Sequence, residues 1–170
     1  MREAQEAFLS LGVASQESAR IFADIEKDPR FISAGCVLLY MSIPGEVQTA
    51  AFIDKWYKKK RLVLPKVCGG SLVLFEYNPN HIKEGYRGIL EPTLNADPIS
   101  DEQIDLVIVP GVAFSKEPDG RVLRLGRGGG YYDKLLPRLS CPMFGVGYPF
   151  RLLDSVPCDP WDISLDALFV

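Results

Sequence analysis

The residues with the most chemistry to offer lie in one stretch, Arg124-Leu125-Gly126-Arg127-Gly128-Gly129-Gly130-Tyr131-Tyr132-Asp133. Three consecutive glycines carry a high cost in backbone entropy. A folded chain keeps them where side chains would block a close approach, and their N–H groups can line up on an anion as a nest. Arg124 and Arg127 flank the turn, and guanidinium forks suit phosphate oxygens. Tyr131 and Tyr132 offer flat faces for a ring. Asp133 adds one hard oxygen ligand of the kind Mg²⁺ uses. On these residues alone the stretch reads equally as a glycine hinge, or as an arginine–glycine patch that touches RNA.

Composition narrows the choice. With 170 residues the chain is long enough for one domain, spanning 1–170, with a sizeable core. It is 47% apolar and 24% charged, the ordinary globular balance. A net charge of −3 argues against a general nucleic-acid binder. Cys36, Cys68, Cys141 and Cys158 form no CxxC pair, and the only histidine is His81, so a zinc cage would need distant partners. The N-terminus MREAQEAF lacks an apolar signal core, and no run approaches the length of a membrane span. The expectation is a cytoplasmic protein with reduced thiols, working as a monomer without membrane or nucleic acid.

The elements that must position the stretch follow from periodicity. Residues 2–11 read as a short helix, and Ser15 as the cap of a second that carries Phe22 and Ile25. Residues 37–41 form an apolar run short enough for a buried strand, followed by the turn Pro44-Gly45 and Glu46. A helix over 49–59 ends in Lys58-Lys59-Lys60-Arg61, a solvated end or a phosphate contact. Residues 62–64 read as a strand closed by Pro65, and 71–77 as another. Residues 78–101 read as a long irregular connection, and 105–109 as the clearest strand, stopped by Pro110-Gly111. Residues 114–120 read as a polar turn into the glycine stretch. A helix starts near Tyr131 or Tyr132, 144–147 is a strand, and a tail runs from Arg151. The alternation predicts a three-layer α/β/α sandwich with a largely parallel, mixed central sheet, and ligands beyond the strands' carboxyl ends.

The segment DLVIVPGVAF, followed shortly by RLGRGGGYYD, resembles the 5-formyltetrahydrofolate cyclo-ligase family, also called methenyltetrahydrofolate synthetases. Further likeness lies in Met41-Ser42-Ile43-Pro44-Gly45-Glu46-Val47-Gln48-Thr49, in Pro65, in Gly88-Ile89-Leu90-Glu91-Pro92 and in Asp162 of PCDPWD. The resemblance implies a ligase that closes 5-formyltetrahydrofolate to 5,10-methenyltetrahydrofolate with ATP as co-substrate and Mg²⁺. It implies that Arg2, Arg124, Gly126, Arg127, Gly128, Gly129, Gly130, Tyr131 and Tyr132 hold ATP, with Arg127 and Tyr132 at the reaction. Met41, Glu46 and Tyr132 would take the folate, and Asp133 and Asp162 the metal.

Plainer roles stand beside these: core packing for Met41, a helix N-cap for Asp162, a solvated helix start for Glu46. The chain also departs from the family pattern. No lysine stands one helical turn before Arg2, and the link from Phe114 to Arg124 is longer than usual. Ser115 replaces a frequent Asp, and the usual Thr-Glu ending is missing after Asp162. A catalytically weakened folate- or nucleotide-binding relative is therefore the alternative. A dinucleotide oxidoreductase fits worse, because Tyr131 replaces the third glycine of its fingerprint.

Overall fold

The computed structural model describes the backbone of residues 2–85, 90–93, 98–159 and 162–170, with side chains from Ala4 onward. Among these residues the helices are α1 (Arg2–Ser10), α2 (Ala14–Ile25), α3 (Pro29–Ser33), α4 (Ala50–Trp56) and α5 (Tyr131–Leu135). The first strands are β1 (Cys36–Leu38), β2 (Arg61–Cys68), β3 (Ser71–Glu76), β4 (Ile82–Glu84) and β5 (Leu90–Pro92). The later ones are β6 (Leu106–Pro110), β7 (Ala113–Lys116), β8 (Val122–Leu125), β9 (Met143–Val146) and β10 (Ala167–Phe169).

The central sheet has the order β10-β9-β6-β1-β2-β3. Its neighbours are parallel from β10 to β2, and only β3 runs antiparallel, against β2. The expected mixed, largely parallel α/β sheet is present. Strand residues alternate between two cores. Val37, Leu62, Leu64, Leu106, Ile108 and Phe144 face Ile21, Phe22, Phe31, Phe52 and Ile53 from α2, α3 and α4. Leu38, Val63, Val107 and Val109 face the other way, onto Leu135, Leu136, Leu139 and Phe114. Helices cover the first face. The second is closed by one short helix and the β7–β8 hairpin.

Several local expectations are corrected. Ser15 caps nothing: α2 begins one residue earlier, and Val13 at its N-cap makes no side-chain cap bond. The 37–41 strand is only the three residues of β1, Cys36–Leu38, because beyond Leu38 the chain leaves the sheet as a loop. The helix over 49–59 stops at Trp56. Pro65 does not close β2, which runs on to Cys68 against β3. Pro65 lies past Val63, the last residue of β2 registered on β1, so no parallel neighbour needs its missing N–H. The connection 78–101 carries the β4–β5 ribbon, held to the sheet by Lys66 of β2 through the Pro92 carbonyl and Glu91. Gly88 and Ile89 lie outside the described residues. The polar turn at 114–120 is a hairpin instead: Phe114 and Ser115 are wholly buried and pair with Arg124 and Leu123. In the basic run, Lys60 serves the carbonyls of Ile32 and Ala34 at the end of α3. That run enters the amino end of β2, away from the carboxyl ends where ligands bind in such sheets.

No helix among the described residues is long and apolar enough to cross a membrane. All four cysteines are free thiols. Burial pushes the Cys141 thiol up to about 11, with Asp105 and Asp166 adding to the effect. Since the thiolate is the reactive form, alkylation at pH 8 is expected to modify exposed Cys158 well before Cys141. Mass spectrometry of a labelling time course checks this, and equal rates would contradict it.

Candidate active site

The strand order places the site. The chain moves from β1 outward to β2 and β3, then returns to lay β6, β9 and β10 on β1's other side. Such a reversal opens a crevice beyond the carboxyl ends of the two strands that meet there, here β1 and β6. The loop after β1 carries Met41 and Glu46. The loop after β6 leads into the β7–β8 hairpin, which delivers the glycine stretch.

The loop after β1 is tied down by its own polar groups. The Glu46 N–H donates to the Ile43 carbonyl at 3.0 Å, and Glu46 Oε2 accepts from the Ile43 N–H at 3.2 Å. Ser42 and Thr49 exchange backbone-to-hydroxyl bonds, each 3.2 Å. The Tyr40 hydroxyl donates to the Val47 carbonyl at 2.8 Å. Gly45 has φ +86°, and a Cβ there would lie 2.5 Å from Gln5 Nε2. The left-handed φ is what favours glycine here, while the Gln5 amide could swing aside. Met41 is half-buried against the helix-side core.

In the glycine stretch, Gly128 and Gly130 have φ of +82° and +65°, with open space where a Cβ would stand. The glycines there serve backbone conformation rather than room, and left-handed residues alternating with ordinary ones aim successive N–H groups to one side. Gly130 leads directly into α5, so Tyr131, Tyr132 and Asp133 form that helix's first turn. A Cβ on Gly129 would fall 2.9 Å from the Tyr131 ring. Arg124 is buried on β8, donates to Asp133 Oδ1 at 2.6 Å and lies 5.3 Å over the Tyr132 ring. Burial, with the Glu46 charge adding, raises the Tyr132 phenol above its ordinary range, so it stays a proton donor through neutral pH.

Arg127 crosses from this stretch to the other loop. Its Nε and NH2 donate to Glu46 Oε1 at 3.3 and 3.2 Å. The residue expected at phosphate and the residue expected at the pterin are thus in contact, although 81 positions apart. Glu46 is nearly buried and Arg127 more than half exposed, which excludes a merely solvated helix start for Glu46. Asp133 gives one oxygen to Arg124, and its other oxygen lies outside that bond. Asp162 is no helix cap: its Oδ2 accepts from the Asp159 N–H at 2.8 Å in a local turn. Among the described residues no three His, Cys, Asp or Glu side chains gather on one point. Backbone places Arg2 in α1, while its side chain, like Trp161 beside Asp162, lies outside the described residues.

The sequence pattern missed Arg151. This buried side chain reaches the loops after β1 and β6 and also α1. A lone cation between Phe150 and Leu152 was the available signal. A charge flanked by apolar residues is rarely buried without a set of partners.

The fold and site define an α/β enzyme in which a glycine turn faces an acidic turn across the sheet's switch point. The family model described as the 5-formyltetrahydrofolate cyclo-ligase family matches residues 1–170. The chain belongs to that family, whose members are ligases. It is 32% identical over 143 residues to the 5-formyltetrahydrofolate cyclo-ligase of Haemophilus influenzae, covering 79% of this chain and 74% of that one. Against the Escherichia coli K12 enzyme of the same name it is 30% identical over 149 residues, covering 82% and 80%. Its fold matches the solved 5,10-methenyltetrahydrofolate synthetase of Aquifex aeolicus with TM-score 0.79 and 36% identity, over 91% of this chain and 78% of that one.

Proposed function

We propose that this chain closes 5-formyltetrahydrofolate to 5,10-methenyltetrahydrofolate, converting ATP to ADP and phosphate. The observation that carries the reading is the Arg127–Glu46 contact, which joins a phosphate-type turn to a pterin-type acceptor at one crevice. The formyl oxygen attacks the γ-phosphorus and ADP leaves. The neighbouring ring-bridging amine then attacks the activated carbon, loses its proton, and the oxygen departs as phosphate. An amide-like oxygen is a poor leaving group until phosphorylated. Catalysis therefore reduces to positioning and charge neutralisation.

Each residue has a part in this. The N–H groups of Gly128, Gly129 and Gly130 line the phosphates, with Gly126 and Arg124 behind them. Arg127 turns from Glu46 to the transferring group. Glu46 accepts from the pterin's N–H row and Met41 packs on its face. Tyr131 and Tyr132 stand between nucleotide and folate, and Tyr132 offers its retained proton to a developing oxyanion. Arg2 reaches ATP from α1. Asp133 and Asp162 supply the hard oxygens that suit Mg²⁺, which needs only one or two carboxylates alongside phosphate and water. When bound it would neutralise charge on the phosphate oxygens. The site calls for no cysteine or histidine.

The test mixes purified protein with 5-formyltetrahydrofolate, Mg²⁺ and ATP and follows the absorbance of the methenyl product. Product should appear only with nucleotide present, and its absence under all conditions would reject the reading. For the metal, Asp162→Asn is expected to weaken binding of Mn²⁺, a spectroscopic stand-in, by about tenfold in the presence of nucleotide. Electron paramagnetic resonance titration reads free Mn²⁺ directly, and unchanged binding would remove Asp162 from the metal site.

A further inference from the structure

A buried arginine held by neutral oxygens calls for an explanation. Arg151 is only 4% exposed. Its Nε and NH2 donate to the Gly45 carbonyl at 3.2 and 2.6 Å, its NH1 to the Val112 carbonyl at 2.6 Å, and its NH2 to Gln5 Oε1 at 3.2 Å. Among the described residues no carboxylate lies within ion-pair distance of it. Burial and the charge of Arg127 pull its pKa down, and Glu46 opposes them. Taking a guanidinium out of water is costly, and removing one partner of such a group costs more than the bonds themselves. The placement explains the cost. Gly45 follows β1, Val112 follows β6, and Arg151 follows β9, so one planar fork spans the carboxyl-end loops of three adjacent strands and reaches α1 through Gln5. A lysine could supply the charge but not the fork geometry.

We propose that Arg151 is the positioning residue of the folate site: it fixes the Gly45 carbonyl, and so sets the Glu46 carboxylate for the pterin and for Arg127. Gly45 is the residue immediately before Glu46, and its carbonyl accepts two of the four bonds of Arg151. A rotation of that peptide would swing Glu46 out of reach of Arg127. Arg151 itself touches no substrate in this scheme. The inference rests on Glu46 taking the pterin.

The test uses Arg151→Lys, Glu46→Gln and their combination in the full chain. Calorimetric titration with 5-formyltetrahydrofolate should show about tenfold or greater loss of affinity for Glu46→Gln, which removes a charged acceptor. A comparable loss is expected for Arg151→Lys, with ATP affinity within about threefold in both. Because Arg151 acts through Glu46, the double variant should bind folate within about threefold of Glu46→Gln alone. A merely structural arginine would give losses that multiply. Hydrogen exchange on the ligand-free protein gives an independent reading. The amides of Ile43 and Glu46 should exchange about tenfold faster in Arg151→Lys, while those of Val107, Ile108 and Val109 keep their protection. Where that variant unfolds, Gln5→Ala, which removes one support of Arg151, should speed the same two amides in smaller measure. Multiplying losses, an equal loss for ATP, or unchanged exchange at Ile43 and Glu46 would overturn the role of Arg151. A wild-type chain that binds no 5-formyltetrahydrofolate would instead overturn the proposed function.

Discussion

Replacing Arg127 by Ala is expected to lower turnover at saturating ATP by about 10²-fold, with the fold intact. Arg127 lies between Gly126 and Gly128 of the turn proposed to hold phosphate, and its side-chain bonds to protein are to Glu46 alone among the described residues. Its side chain is 54% exposed, so losing that pair removes little stability, on the order of 1 kcal/mol or less. The catalytic loss arises because charge on the transferring phosphoryl group would develop without the guanidinium proposed to meet it directly. The fall should sit in kcat more than in KM for ATP, the mark of an interaction made in the transition state. Initial rates over a matrix of ATP and folate concentrations measure it. Near-normal kcat would sink the assignment of Arg127.

Phe114→Ala is expected to cost about 3–5 kcal/mol of stability. Phe114 is wholly buried in the core between sheet and hairpin. Its ring fills a slot lined by backbone: a Cβ on Gly111, Gly145 or Gly147 would come 2.5, 2.9 or 3.0 Å from it. Alanine would leave a cavity walled by backbone at Gly145 within β9 and at Gly111 and Gly147 just past the ends of β6 and β9, which the hydrogen-bonded strands keep from collapsing. The same strand residue pairs with Arg124 across the hairpin, so the variant should also bind ATP less well. Urea unfolding followed by fluorescence measures the first effect, and a loss below about 1.5 kcal/mol would show that the slot relaxes.

How much of this was legible in the sequence depends on the range of the interaction. Residues 106–109 are four consecutive apolar residues of a strand buried on both faces, and such a run reads as what it is. The glycine stretch could be picked out but not for the right reason: Gly128 and Gly130 answer to a positive φ, with open space where a close approach was expected. The β7–β8 hairpin was not legible. Its buried Ser115 is polar, and the turn Glu117-Pro118-Asp119-Gly120 drew the eye away from the short strands it joins. Pro65 misled because proline's missing N–H matters only where a neighbouring strand wants it. Glu46 and Arg127 could each be picked out, but their contact could not, since only the sheet's strand order brings them together. Arg151 left the faintest trace. Its partners are mostly backbone carbonyls, which no side-chain pattern records.

Strand order also sets a timetable for synthesis. β1, β2 and β3 are consecutive in the chain and adjacent in the sheet, and β6, β9 and β10 then join outward in the order they are made. The carbonyl of Gly45 waits for a guanidinium 106 residues further on. At ribosomal speeds of about 5–20 residues per second, the wait is roughly 5–20 s. During it the nascent chain can form the β1–β2–β3 side of the sheet but holds its acidic turn by bonds within that loop and one to Ser18 of α2, without Arg127 or Arg151. The proposed crevice therefore takes its final shape only after Arg151 has been made, and a nascent chain should acquire affinity for ligand no earlier than that.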